Sequence, residues 1–198
     1  MMKTTEKPCG PIQFDWLSGH LSGPSAEATC KKLGQIQSLF RDCAAASQLG
    51  PETVIYRVRS WHPVPSGTAG GLFWGITTIE PGRVGDEYFM THGHFHKNRA
   101  SAEFYSTLRG QGLLVLMDRS GRTWSEPMHG GSLHYIAPDI AHRVVNTGDV
   151  PLVFVACCPS DAGHDYAAIR AHGFGARVRQ VDGQPMLVPE ARGESARH

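Results

Sequence analysis

The 198-residue chain has almost no charge imbalance, with 19 Lys and Arg against 18 Asp and Glu. It has no basic block, which argues against a surface made for nucleic acid or anionic lipid. The opening, MMKTTEKPCGPIQ, lacks an apolar signal core, and no apolar run approaches the length of a membrane span. The five cysteines, Cys9, Cys30, Cys43, Cys157 and Cys158, are odd in number and contain no CxxC pair. A disulfide framework is therefore not expected, and a reduced, cytoplasmic compartment fits best. Internal repeats, low-complexity segments and interdomain linkers are also missing. What is present is a 40% hydrophobic content, enough to bury one sizeable core, and eleven histidines, several of them crowded between His92 and His142.

Organisation follows from periodicity. In SAEATCKKLGQIQSLFRDC, Leu33, Ile36 and Phe40 recur at helical spacing after a candidate N-cap at Ser25. This predicts one short amphipathic helix in an extension, residues 1–50, packed on a larger body. From about residue 53 short apolar or alternating runs take over: TVIYRVRSW, LFWGITTIEP, EYFMTHGHFH, AEFYSTLRGQG, GLLVLMD, SLHYIAP, HRVVNTG and PLVFVACC. Turn signals such as Pro81-Gly82, Asp118-Arg119-Ser120-Gly121 and Thr147-Gly148-Asp149 separate them. Such spacing predicts an all-β fold, a jelly-roll barrel over residues 51–190 with short flanking helices. DYAAIRAHG reads as a short helix, FGARVRQVDGQPMLVP as a last hairpin turning at Asp182-Gly183, and residues 191–198 as an unpacked tail.

The chemistry starts at His94-Phe95-His96. On an extended strand residues two apart face one side, so both imidazoles point the same way. Two neutral imidazoles on one face suit a divalent ion of borderline softness. Glu103 opens the next strand and His142 a later one, so three histidines and a carboxylate at strand ends could converge on one ion and leave positions open for substrate. The competing reading of HxH alone is a surface pair beside a solvated glutamate.

Taken together, THGHFH, AEFY, LRGQG, AHRVVNTGD and PSDAGHDY resemble the cupin-type glucose-6-phosphate isomerases, a family distinct from the larger α/β phosphoglucose isomerases. The similarity runs without gaps from about Ile76 to Phe174. It implies a cupin barrel, a homodimer, and His94, His96, Glu103 and His142 as ligands of one divalent ion. Fe(II) is foremost, with Zn(II), Mn(II) or Ni(II) as alternatives. It also implies that Thr77, Thr91 and Gly93 hold the sugar phosphate, while Tyr105, His164 and Tyr166 line the pocket. Independently, threonine hydroxyls and a glycine N–H are donors suited to phosphate oxygens.

Moving hydrogen between C1 and C2 of a sugar phosphate requires stabilising charge on O1 and O2, which a bound cation does as a Lewis acid. Glu103, the only carboxylate in the implied ligand set, is the candidate base. A hydride shift between C2 and C1 is the rival route. His164 or Tyr166 could shuttle a proton for ring opening, or only orient the sugar. His92 and Lys97, flanking the ligand pair, read as outward or rim groups, and His134 and His129 as hydrogen-bonded structural residues. Cys157-Cys158 has no visible activating partner.

Two positions depart from the family. Cys158-Pro159 stands where most relatives have Tyr-Pro, so a phenol implied in phosphate binding is missing, and Ala137-Pro138 replaces Pro-Pro. Other readings of the same metal set are a cupin dioxygenase, another phosphosugar isomerase or epimerase, or a non-catalytic sugar-binding cupin.

Overall fold

The computed structural model describes residues 11–15, 19–23, 26–170 and 173–190. Strands β1 (Gln13–Asp15) and β2 (His20–Ser22) form a small hairpin. After β3 (Ala26–Lys32) come a single turn, α1 (Leu33–Ile36), a 3-10 turn over Gln37–Leu39, and α2 (Cys43–Leu49). Helix α2 starts at Asp42 because its side chain accepts a hydrogen bond from the Ala45 N–H at 2.8 Å, filling one of the donors a helix start leaves open.

The body then runs through β4 (Val54–Trp61), β5 (Leu72–Ile79), β6 (Arg83–Val84) and β7 (Glu87–Tyr88). It continues with β8 (Glu103–Arg109), β9 (Gln111–Met117), β10 (Thr123–His129) and β11 (Leu133–Ile136). β12 (Ala141–Asn146) and β13 (Leu152–Pro159) follow, then α3 (Ala167–Arg170) and the hairpin β14 (Ala176–Val181) and β15 (Gln184–Pro189). The turn of that last hairpin is Asp182-Gly183, with φ of 49° and 78°. Positive φ at both central residues is what a two-residue turn matched to strand twist requires, and Asp-Gly meets it at low cost.

All named strand pairs are antiparallel. The largest sheet has the order β11-β8-β13-β5-β4-β3, a second has β10-β9-β12, and a third has β15-β14-β7-β6. One buried cluster draws on all three: Ile79, Tyr105 and Phe154 from the first, Leu114, Met128 and Val144 from the second, Tyr88 and Val178 from the third. β12 is buried at every position although three of its six residues, His142, Arg143 and Asn146, are polar or charged. Each fully buried aliphatic such as Leu114 or Val144 is worth ~1.5–3 kcal/mol over an exposed one. The architecture is all-β, with three antiparallel sheets contributing side chains to one core.

The N-terminal segment differs from the sequence expectation. Ala26–Lys32 is not helical; it pairs with β4 as an edge strand, so the large sheet takes in residues from before position 51. Its side chains are mostly exposed, and the ladder to β4 rather than an apolar face holds it. Leu33, Ile36 and Phe40 are buried as their spacing implied, but in a broken turn, and there are two short helices rather than one. Ser25 and residues 191–198 lie outside the described residues.

Candidate active site

The metal-type cluster is assembled by strand register. The segment around His94 bridges β12, with the His94 N–H donating to the His142 carbonyl at 3.2 Å and the His142 N–H returning the bond at 3.0 Å. Directly opposed residues in an antiparallel pair project to the same face, and His96, two residues on, shares the parity of His94. Phe95 turns the other way, is 3% exposed, and lies under the Arg119 guanidinium at 3.7 Å. From the facing sheet, Glu103 reaches in at the first residue of β8. One donor atom from each of His94, His96, Glu103 and His142 can be chosen so that all lie within 4.8 Å of one another.

The hydrogen bonds around the rings fix what they offer. His96 Nδ1 lies 3.1 Å from the Ser101 carbonyl and His142 Nδ1 3.1 Å from the Ile140 carbonyl. A carbonyl only accepts, so both Nδ1 atoms carry the proton and a neutral ring leaves Nε2 as a bare lone pair. Those Nε2 atoms stand 3.3 Å and 3.1 Å from the same oxygen, Glu103 Oε2. Three electron pairs then face one another in a buried space and need a cation or protons between them. His94 Nε2 and His142 Nε2 are buried without a hydrogen-bonding partner of acceptable geometry among the described residues. The donor set therefore fits a divalent ion, with the carbonyls orienting the rings from behind.

Electrostatics agree. Burial alone would raise the Glu103 pKa, but hydrogen bonds to His142 and His96 win and hold it at about 2. Burial works against a charged His96, yet its bonds to Glu103 and to the Ser101 carbonyl raise its pKa above the ordinary value. His94 has no carboxylate to compensate; burial first, then its histidine neighbours, push it well below the usual range, so it stays neutral.

The wall beside the cluster is aromatic. Tyr166 stacks on His164 at 5.6 Å, and His164 meets the His94 ring edge-on at 4.3 Å. Tyr105 packs against Phe154 at 4.8 Å and approaches His142 at 5.7 Å; burial drives its phenol well above its normal pKa. Cys158 sits near Glu103, its thiol pushed up to about 12 by burial and then by that carboxylate. Thr77 lies on β5 opposite Phe154 and is buried. Thr91 Oγ accepts the Val144 N–H at 3.0 Å, leaving its own hydroxyl proton to give. Gly93 has φ of 78°, and a Cβ there would come within 2.8 Å of the Phe174 ring.

Two residues of this wall were not expected. His92 is not simply a rim group: its ring stacks on Tyr166 at 4.7 Å. The signal was its spacing, since His92 stands two residues before His94. Tyr56, buried on β4, has its phenol raised to about 12 by burial, against the pull of the His92 N–H and the Arg143 charge. Nothing local marks it; it enters only because β4 is paired with β5. His134, by contrast, is satisfied on both nitrogens by Glu126 and Ser132.

A family model described as Glucose-6-phosphate isomerase (GPI) matches residues 30–192. The chain belongs to the glucose-6-phosphate isomerase family. Among similar curated members are the glucose-6-phosphate isomerases of Pyrococcus horikoshii, 35% identical over 94% of this chain and 97% of that one, and of Thermococcus gammatolerans, 37% identical over 94% and 97%. A bacterial member from Sinorhizobium medicae is 36% identical over 86% of this chain and 79% of its own length. Among solved structures, an oxalate decarboxylase of Bacillus subtilis matches with a TM-score of 0.43 at 20% identity, covering 56% of this chain and 27% of that one. Within this glucose-6-phosphate isomerase family member, the four-donor cluster and the His164-Tyr166 wall adjoin one another between the sheets.

Proposed function

We propose that the protein is a metal-dependent glucose-6-phosphate isomerase that interconverts glucose 6-phosphate and fructose 6-phosphate. The observation that carries this reading is the meeting of three imidazoles and Glu103 within 4.8 Å in a chain of this family. His94, His96, Glu103 and His142 hold one divalent ion, Fe(II) foremost, with Zn(II), Mn(II) or Ni(II) as alternatives. When bound, the ion supplies Lewis-acid stabilisation of charge on O1 and O2 of the sugar.

The chain's own groups do the rest. Hydroxyls of Thr77 and Thr91 and the Gly93 N–H bind the phosphate. Tyr105 and the small Cys158 bound the pocket on the Glu103 side. His164 and Tyr166 orient the sugar, and His164, whose pKa burial lowers, is largely neutral at pH 7 and able to relay a proton during ring opening. Glu103 is the candidate base. The rival route is direct transfer of hydride from C2 to C1, with protons exchanged only at the oxygens.

The exposed Phe104, Leu133 and Tyr135 on neighbouring strands β8 and β11 suit cover by a second copy, so we take the active form as a homodimer. Free cysteines and balanced charge suit the cytoplasm. The test is a coupled assay of fructose 6-phosphate conversion on metal-stripped protein, then with each ion added. Turnover that returns with a divalent ion supports the reading; full turnover after verified stripping overturns it. Run in deuterated water, the same assay separates the routes, because a base-mediated path exchanges the carbon-bound hydrogen and a hydride shift does not.

A further inference from the structure

We propose that Arg143 is a positioning residue for the sugar phosphate: a buried cation that braces the His92-Gly93 peptide and is neutralised by the dianion when substrate arrives. The inference rests on the isomerase reading and adds to it a residue that neither spacing nor motif points out.

Arg143 follows His142 on β12 and is 6% exposed. Neighbouring residues on a strand project to opposite faces, which puts its side chain beneath the loop that precedes His94. There Nη2 donates to the His92 carbonyl at 2.6 Å, Nη1 approaches the Met90 sulfur at 3.1 Å, and the guanidinium lies over the Phe174 ring at 4.3 Å. Nε is buried and finds no partner among the described residues. The loop packs tightly on this arginine: besides its nearer clash with Phe174, a Cβ at Gly93 would lie 3.0 Å from Arg143 Nε.

Two consequences follow. In a trans peptide the C=O and N–H point in opposite directions, so holding the His92 carbonyl on Arg143 turns the Gly93 N–H away from the guanidinium. No backbone or side-chain acceptor among the described residues takes that N–H. The second consequence concerns charge. The neighbouring Arg177 is neutralised by Glu87 at 2.6 Å and Glu190 at 3.1 Å, and Glu190 also pairs with Arg41. Arg143 has no carboxylate within 4.0 Å among the described residues. Lys31 and Arg170 add positive charge within reach of His92. The nearest acid acting on Arg143, Glu87, forms no ion pair with it and is already paired with Arg177, and a buried charge so weakly compensated is costly to keep. A phosphate on the far side of the peptide would meet an aligned N–H and the field of an unneutralised guanidinium.

The test compares wild type with Arg143→Met and Arg143→Lys, each loaded with the same divalent ion. Inorganic phosphate binding is measured by calorimetry, KM and kcat with fructose 6-phosphate, and inhibition with unphosphorylated sorbitol. Arg143→Met should weaken phosphate and raise KM about tenfold, because the brace on the His92 carbonyl and the charge behind the loop are both lost, while metal content and sorbitol affinity stay at wild type. Arg143→Lys should recover part of the loss. Phosphate binding by Arg143→Met equal to wild type, or equal weakening for phosphate and sorbitol, overturns the proposal. Should Arg143→Met fail to fold, Arg143→Lys must still show a phosphate deficit larger than its sorbitol deficit, or the proposal fails. A wild-type protein that binds phosphate through Arg143 yet never converts fructose 6-phosphate would sink the isomerase reading while leaving this one standing.

Discussion

Two buried histidine clusters in this protein look alike in sequence and differ in chemistry. At His134, Nδ1 meets Glu126 at 2.7 Å and Nε2 meets Ser132 at 2.9 Å, and Ser132 in turn reaches Thr107 at 3.0 Å. Every ring nitrogen there has a protein partner. His142 is as buried and His94 partly so, but the Nε2 atom of each is buried and lacks one. A buried polar atom left open costs stability unless something outside the chain completes it. The first cluster is thus a finished piece of scaffold, and the second is finished only by a ligand.

The contrast is best broken from the open side. Glu103→Gln or His142→Ala should remove turnover by ~10³-fold or more, because the charge that stabilises the transition state is lost with the metal set. Circular dichroism should stay at wild type, and bound metal, measured by mass spectrometry, should fall with activity. Retained metal and activity in either variant would erase the distinction between the clusters.

Acid should act on the open cluster next. Glu103 is held below its ordinary pKa of 4.5 at about 2, so its contribution to stability is present above pH 4.5 and lost as pH falls toward 2. His94 is also depressed below 6.5, so the unfolded chain takes up protons first and stability declines once pH drops under 6.5. His96 runs the other way: raised above 6.5, it stabilises the metal-free protein below that value and loses the contribution as pH rises through its folded pKa. Metal needs all three rings bare, so falling pH should release it, and metal-loaded protein should lose ion and activity together below about pH 6. Metal content after dialysis at stepped pH checks this; retention at pH 5 would contradict it.

On the closed side the effect should be smaller and of another kind. His134→Leu should cost about 1 kcal/mol of stability by removing two hydrogen bonds whose remaining partners, the half-exposed Glu126 and Ser132, can still find water or Thr107, seen as a lower melting temperature, with turnover per folded molecule unchanged. A large fall in kcat would show that the two clusters are not separate. The smallest effect belongs to Cys158→Tyr. Placing at this position the phenol that the resemblance implies should lower KM for fructose 6-phosphate a few-fold, roughly one added hydrogen bond. An unchanged KM would mean that Tyr56, His92 and Tyr166 already supply the contact.

Much of the site was legible before any coordinates. His94 and His96 share a face because strand side chains alternate, and that rule needs no partner strand. The last hairpin was readable for the same local reason, an Asp-Gly pair able to take positive φ. The N-terminal segment departs from its spacing because Leu33, Ile36 and Phe40 carry a helical period while Ala26–Lys32 is held by backbone bonds to β4 that leave no pattern in its side chains. Tyr56 and Arg143 stayed invisible because each owes its place to a neighbour distant in the chain.

By itself, then, the amino-acid order determined which side chains could act: imidazoles at alternate positions, a carboxylate at a strand start, glycines where chirality forbids other residues. These are consequences of bond geometry within a few residues. Only the tertiary structure decided which nitrogens remain without partners, which buried arginine forms no ion pair among the described residues, and which aromatic rings stack beside the cluster. Those depend on cross-strand register and on burial, properties of residues brought together from far apart in the chain.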